Sequence, residues 1–224
     1  MQHTIKSFVI RAGRVSNRQQ LALNEWLVHY QLPESGTTWD LTKAFGRAAD
    51  TVVEIGFGMG ASLIEMAKAQ PEINFVGIEV HRPGIGSLVA ELHDENILNV
   101  RVATFDAVEV FKTYLSNESL AGVQVFFPDP WPKKRHQKRR LVQAALVEML
   151  VKKIKPGGFL HCATDWEDYA EQMMAILSAE PSLVNSQAEG RFTPRPERRP
   201  LTKFERRGNR LGHGVWDLIF LRLA

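Results

Sequence analysis

Residues 52–69 read VVEIGFGMGASLIEMAKA, an apolar, β-branched run that passes through three glycines into an amphipathic stretch. The run VVEI predicts a buried strand, and SLIEMAKA at 62–69 predicts a helix. Gly56, Gly58 and Gly60 permit a tight turn and the close approach of a ligand to the backbone. Strand, glycine turn and helix together are typical of the α/β fold class.

The same alternation of strand and helix continues along the chain. The predicted strands are 52–55, 75–80, 100–105, 123–127 and 158–164. The predicted helices are 62–69, 86–94, 107–115, 139–154 and 166–179. Near-continuous apolar strands that alternate with helices indicate a doubly wound, mostly parallel sheet. The last run, GVWDLIFLRLA at 214–224, is predicted to be a C-terminal edge strand.

Length and composition favour one domain without a disulfide or a membrane span. The chain has 224 residues, of which 44% are apolar and one is cysteine. A single cysteine, Cys162, cannot form an internal disulfide and is expected in the core. No signal-like or membrane-length apolar stretch is present, so we expect a cytoplasmic protein. Residues 1–20 are predicted to be a basic, mobile arm and residues 21–224 a single domain.

Positive charge is concentrated in two segments. Residues 133–140 hold six Lys/Arg and no acid, and residues 191–210 hold eight Lys/Arg and two acids. Each of these segments has a net charge of +6. Because the whole chain has a net charge of +3, the remainder carries 3 − 12 = −9. A basic run can simply be a solvent-exposed face without a partner. Two such runs on an otherwise acidic chain favour a polyanion as binding partner.

Four predicted strands end at or near an acid, and in open α/β sheets ligands bind at the carboxyl ends of the strands. These acids are Glu54, Glu79, Asp106 and Asp129. Glu79 lies where an acid can hold ribose hydroxyls, and Asp106 can accept from an adenine amine. A pyrophosphate would disfavour so many carboxylates, whereas S-adenosylmethionine offers cations and hydrogen-bond donors. The residues therefore favour S-adenosylmethionine over NAD.

Four motifs and one acid, in this order, carry a resemblance to a known family. They are EIGFGMG with the acid at Glu79, FPDPWPKKRHQKRR, ATDWEDYA and PLTKFERRG. The glycine motif occurs in many methyltransferases, but FPDPWPKKRH and T-x-F-E-x-R-G are specific. The chain resembles the bacterial tRNA (guanine-N7)-methyltransferases over nearly its whole length. The resemblance implies a Rossmann-like class I methyltransferase fold and methylation of a variable-loop guanosine in tRNA.

The resemblance also implies roles for individual residues. Cofactor contacts would come from Glu54, Gly56, Glu79, Asp106 and Asp129, with Asp129 also at the catalytic centre. Substrate contacts would come from Lys133, Asp165, Thr202, Lys203, Phe204 and Glu205. RNA contacts would come from Arg135, Lys138, Arg139 and Arg140.

Several of these residues also have structural interpretations. Asp129 lies between Pro128 and Pro130, so its role could be limited to fixing a turn. The same prolines would also stiffen a catalytic loop. Trp131 could stack on a base or pack beneath the loop. Asp165 could cap the next helix. Thr202 and Glu205 have the spacing of a capping pair.

Other functions remain as alternatives at this point. A nucleic-acid methyltransferase that acts on an exocyclic amine would use a related Pro-rich motif at the same strand end. A non-catalytic RNA-binding module would not need the cofactor acids. An NAD oxidoreductase would have to place the pyrophosphate of NAD beside these carboxylates, which is unfavourable. We expect no metal, because neither histidines nor cysteines show ligand spacing. The oligomeric state is expected to be a monomer or a homodimer.

Overall fold

The computed structural model describes residues 13–201, Glu205 and residues 214–224 of the chain. Seven strands are present among these residues. They are β1 Thr51–Ile55, β2 Asn74–Ile78, β3 Val100–Ala103, β4 Leu120–Phe126, β5 Ile154–Thr164, β6 Leu183–Asn185 and β7 Trp216–Arg222. They form one sheet in the order β3-β2-β1-β4-β5-β7-β6. Strands β1 to β5 are parallel to one another, and β7 is antiparallel to both β5 and β6.

Helices connect the strands and cover the sheet. They are α1 Asn17–Leu21, α2 Leu27–Tyr30, α3 Leu41–Phe45, α4 Ala61–Ala69, α5 Arg82–Asp94, α6 Ala107–Glu109, α7 Ala144–Lys153 and α8 Glu167–Ser178. Residues Ala22–Trp26 and Val110–Tyr114 form π-helical turns, and Lys134–Arg139 form a 3₁₀ helix. None of the helices in the described ranges is both long enough and apolar enough to cross a membrane.

The core lies on both faces of the sheet, as expected for strands that are buried on two sides. Side chains alternate along a strand, so Val53 and Ile55 belong to one buried cluster and Val52 to the other. Glu54 shares the face of Val52, which α4 and α5 cover. This places one carboxylate of β1 within an apolar layer.

The predicted fold class is confirmed, but the C-terminal strand is not at the edge of the sheet. Strand β7 pairs with β5 along Phe159–Thr164, and the short strand β6 pairs with its other side. Only three residues of β6 are in the ladder, and such a short segment gives no clear alternation in the sequence. The edge of the sheet on this side is therefore β6 and not β7.

The predicted helix at 139–154 is also shorter than expected. Helix α7 begins at Ala144, after the 3₁₀ helix Lys134–Arg139 and an extended segment that starts at Arg140. The backbone N–H of Val142 donates to the Tyr169 hydroxyl at 2.9 Å, which holds this segment away from helical geometry. The basic run is therefore structurally separate from α7.

The predicted boundary between arm and domain, after residue 20, falls inside α1. This helix packs closely on α5, because a Cβ at Gly86 would lie 2.8 Å from the Gln19 carbonyl oxygen. Arg18 also forms an ion pair with Asp94 at the end of α5. Residues 1–12 of the predicted arm lie outside the described residues.

Candidate active site

The glycine turn after β1 follows the geometry that its sequence predicts. Gly56, Gly58 and Gly60 have φ values of +77°, +59° and +86°, which favour glycine over other residues. Among the described residues other than the immediate chain neighbours, no atom lies within 4 Å of a Cβ built on Gly56 or Gly58, whereas one built on Gly60 would meet Leu88 at 2.8 Å. The first two glycines therefore face open space at the carboxyl edge of the sheet, and the third allows close packing on α5.

Strand register brings the loops after β1, β2 and β4 together at this edge. Ile55 pairs with both Ile78 of β2 and Val125 of β4, so β1 is where the strand order reverses. The Gly56 N–H also donates to the Ile78 carbonyl at 2.8 Å. Ligands of open α/β sheets bind at such a reversal point. The structure thus places the loops that carry Glu79 and Asp129 on either side of β1 at this edge.

Glu54 is a buried carboxyl group with an unsatisfied oxygen. Its exposed fraction is 2%, its Oε2 accepts no hydrogen bond from the described residues, and its Oε1 has only a long contact of 3.5 Å from Ser62 Oγ. Burial raises the pKa of Glu54 to about 8, against the lowering effect of Ser62. A buried acid with one oxygen that lacks a donor fits a site that a cationic or donor group completes.

Glu79 and Asp106 are less buried and are held by backbone N–H groups. Glu79 Oε2 accepts from Gly58 N at 3.0 Å, while Oε1 accepts from the N–H groups of Val80 and His81 at 2.7 and 3.0 Å. Asp106 Oδ1 accepts from Val108 N at 2.7 Å at the start of α6. These bonds fix both carboxylates and leave lone pairs for ligand hydroxyl or amine donors.

The loop after β4 presents Asp129 at the same edge. Phe127 and Trp131 flank the Pro-Asp-Pro sequence with φ values of +50° and +44°, in the left-handed region that non-glycine residues rarely adopt. Asp129 is exposed and accepts no hydrogen bond from any described residue. Its carboxylate is therefore positioned by the backbone of a constrained loop.

Trp131 packs against the basic run. The Arg139 guanidinium lies 5.1 Å from its ring centroid, and the His136 ring meets it edge-on at 6.0 Å. Its indole Nε1 is buried and has no acceptor among the described residues. Of the two interpretations of the sequence, the structure supports packing beneath neighbouring side chains.

Most of the basic run is exposed beside this loop. Lys133, Lys134, Arg135, Lys138 and Arg139 are all exposed. None of them forms an ion pair within the described ranges. Burial and the surrounding cations lower the pKa of His136, which lies among them. The run is thus an exposed cationic surface next to Asp129.

Arg140 does not belong to this surface, contrary to the prediction that it contacts RNA. Its side chain is 1% exposed and forms an ion pair with Asp168. Its Nε donates to the Pro130 carbonyl at 2.8 Å, and its NH1 donates to Gln172 Oε1 at 2.6 Å. A phosphate cannot reach this guanidinium without displacing those partners.

Asp165 is exposed directly after β5, on the same rim as Asp129. Helix α8 begins at Glu167 with Trp166 as its N-cap residue, and no side chain caps it. Asp165 therefore does not cap this helix, although the sequence allowed that role. Trp166 is 40% exposed beside it.

Glu205 is buried in an ion network, which differs from the predicted substrate contact. Its two oxygens accept from Arg199 at 2.7 and 2.8 Å, and Arg199 also donates twice to Asp217, at 2.7 and 2.9 Å. His161 Nε2 lies 2.7 Å from Asp217 Oδ1. Thr202, Lys203 and Phe204, the other predicted contacts in this segment, lie outside the described residues.

This network was not predicted from the sequence, although two signals were visible. His161 interrupts the apolar strand GFLHCAT, and Asp217 interrupts WDLIFL, so each places a polar group in a buried strand. Burial lowers the pKa of His161 despite its hydrogen bond with Asp217. Burial acts to raise the pKa of Asp217, but hydrogen bonds with His161 and Arg199 lower it overall. Arg199 also lies 5.5 Å from the Phe127 ring centroid, so the network adjoins the Asp129 loop.

Cys162 is buried in β5, and burial raises the pKa of its thiol to about 12. In the part of the chain that the structure describes, no three His, Cys, Asp or Glu side chains are grouped so that they could hold a metal ion.

Comparison with known proteins identifies the family. A family described as "Putative methyltransferase" matches residues 48–218. A protein of Legionella pneumophila (strain Paris) named tRNA (guanine-N(7)-)-methyltransferase is 62% identical over 224 residues, which cover 99% of this chain and 94% of that protein. A protein of the same name from Burkholderia vietnamiensis is 53% identical over 220 residues, covering 98% and 86%.

A solved structure supports the fold independently. The 16S rRNA methyltransferase KamB superposes with a TM-score of 0.60 at 16% identity, covering 84% of this chain and 95% of that one. The chain belongs to the family of tRNA (guanine-N(7)-)-methyltransferases.

Proposed function

We propose that this chain transfers a methyl group from S-adenosylmethionine to N7 of a guanosine in tRNA. The observation that carries the proposal is the position of Asp129, which follows β4 at the sheet edge where Glu79 and Asp106 also follow their strands, and directly precedes the exposed basic run. The high identity to relatives that bear this name supports the same substrate. We place the reaction in the cytoplasm, where tRNA is modified.

The described residues fit S-adenosylmethionine. The unsatisfied Glu54 oxygen suits a cation, while Glu79 and Asp106 suit the ribose hydroxyls and the adenine amine. Gly56 and Gly58 leave open space above the backbone. When bound, the cofactor supplies an electrophilic methyl group on a sulfonium.

The basic run suits the RNA backbone. Lys133, Arg135, Lys138 and Arg139 offer exposed cations beside Asp129. Contacts to phosphates position a nucleic acid without reading its sequence. The choice of one guanosine would then come from tRNA shape and from residues on the rim such as Asp165.

Asp129 acts by orientation and electrostatics in this proposal. N7 of guanine has a free lone pair and no proton, so the attack requires no general base. Positive charge develops on the base as the methyl group arrives, and a nearby carboxylate stabilises that charge. The same carboxylate can accept from amine and imino donors on the guanine edge, which holds N7 in line.

The test is incubation with an unmodified tRNA transcript and methyl-labelled S-adenosylmethionine, followed by identification of the labelled nucleoside. We expect 7-methylguanosine. Absence of transfer would reject an enzymatic function on tRNA. Formation of N6-methyladenosine would instead support the exocyclic-amine alternative.

A further inference from the structure

The loop that carries Asp129 needs support from outside itself. Phe127 and Trp131 both have unfavourable positive φ values, and such backbone strain persists only where the surroundings hold it. Asp129 receives no hydrogen bond from the described residues, so its own side chain does not fix the loop. The support must come from contacts to the loop backbone and flanking residues.

Arg140 provides such a contact at the residue next to Asp129. Its Nε donates to the carbonyl oxygen of Pro130 at 2.8 Å. The other two guanidinium nitrogens bind α8, through Gln172 Oε1 at 2.6 Å and through Asp168 Oδ2. One side chain therefore connects the loop backbone to a helix that packs on the sheet.

The site around Arg140 is built for a guanidinium. The Arg140 side chain is 1% exposed, and its guanidinium lies 4.7 Å from the Tyr169 ring centroid. Three acceptors in different directions match the planar fork of arginine, which a lysine ammonium cannot reproduce. Asp168 balances the buried charge, and it is 58% exposed, so it can be changed without opening the core.

The adjacent residue makes a useful contrast. Arg139 is exposed, has no acidic partner among the described residues, and lies over Trp131. Two consecutive arginines thus point in different directions, one to solvent and one into the protein. A shared role in RNA binding does not fit this difference.

We propose that Arg140 is a positioning residue for methyl transfer, which holds the Pro-Asp-Pro loop on α8 so that Asp129 faces the reacting centre. This inference rests on the function proposed above. Arg140 acts through the Pro130 carbonyl and not by contact with substrate. Asp168 and Gln172 act through Arg140.

The experiment compares Arg140→Lys with Arg139→Lys and Arg139→Gln in the full chain, measuring kcat, KM for tRNA, cofactor affinity and the salt dependence of tRNA binding. A misplacement of about 1 Å can cost about 100-fold in rate. We expect Arg140→Lys to lower kcat by roughly 10- to 100-fold, with KM, cofactor affinity and salt slope little changed. Arg139→Gln should raise KM and flatten the salt slope, and Arg139→Lys should keep the slope.

Two variants on α8 keep the test valid if Arg140→Lys does not fold. Asp168→Asn removes the negative charge that pairs with Arg140, and Gln172→Ala removes one of its acceptors. Each should lower kcat by about 3- to 10-fold without a change in the salt slope. Unchanged kcat in folded variants would overturn the inference, and so would a loss confined to KM and the salt slope. Failure of the wild-type chain to form 7-methylguanosine would instead reject the proposed function.

Discussion

We expect Glu54 to make cofactor binding dependent on pH. Its carboxyl group is buried without a full set of donors, and its pKa of about 8 keeps it protonated near neutrality in the free protein. If the ionised form binds the cationic end of S-adenosylmethionine, binding must release this proton. The affinity should then rise with pH until the carboxyl group is ionised in the free protein too.

The size of the effect follows from the ionised fraction. With a pKa of about 8, Glu54 is ionised to about 1% at pH 6.0 and about 24% at pH 7.5. The apparent Kd scales inversely with this fraction, so it should fall by about 20-fold over that range. The range ends at pH 7.5 because the α-amino group of the cofactor itself loses its proton at a pH of about 8.

The assay is isothermal titration of the protein with S-adenosylmethionine at several pH values, in two buffers of different ionisation enthalpy. We expect release of close to one proton near pH 6.5 and a steep rise in affinity. Glu54→Gln should bind more weakly, with no proton release and little pH dependence. A wild-type affinity independent of pH, with no proton exchanged, would refute this role of Glu54.

The same pKa predicts a change in stability without cofactor. The folded pKa of about 8 exceeds the ordinary value of 4.5, so the folded state binds more protons between these values. The free energy of unfolding therefore decreases as pH rises through this window, by roughly 3 kcal/mol between pH 4.5 and 7 as an upper bound. Thermal unfolding of Glu54→Gln should lack this decrease, and an identical pH profile in both proteins would contradict the raised pKa.

Three further predictions address the other parts of the site. Asp129→Ala should lower single-turnover methyl transfer by about 100-fold or more while tRNA affinity stays within about twofold, and equal losses in both would contradict its role. Lys138→Gln combined with Arg139→Gln should weaken tRNA binding and flatten the log–log salt slope by about one unit for each lost phosphate contact, so an unchanged slope would exclude such contacts. Asp217→Asn should lower the free energy of unfolding in urea by about 3 kcal/mol, because Arg199 and His161 then stay buried without the negative charge of Asp217. As a control, Glu148→Gln at an exposed ion pair should leave the unfolding midpoint unchanged. Equal midpoints for both variants would show that the buried network adds no stability.

The sequence predicted the parallel part of the fold because apolar strands and amphipathic helices alternate there. The β1 run VVEI and the glycine turn after it correspond directly to a buried strand and three residues with positive φ. The position of β7 was not predictable, since β6 contributes only Leu183–Asn185 to the sheet. A strand of three residues gives too few positions to show a period of two.

The placement of the candidate acids near one edge of the sheet was predictable because parallel strands end at one edge. Glu79 and Asp106 follow their strands, and register places the loop of Asp129 beside them. Charge pattern alone did not separate Arg139 from Arg140, because both lie in one basic run. Only tertiary contacts to Pro130 and α8 distinguish the buried guanidinium from the exposed one.

Methylation of N7 is tested most directly by a tRNA transcript in which guanosine is replaced by 7-deazaguanosine. This change removes the N7 lone pair and keeps the other hydrogen-bonding groups of the base. We expect methyl transfer to the normal transcript and none to the 7-deaza transcript, while both transcripts bind with similar affinity. Methyl transfer to the 7-deaza transcript at a comparable rate would contradict N7 as the acceptor.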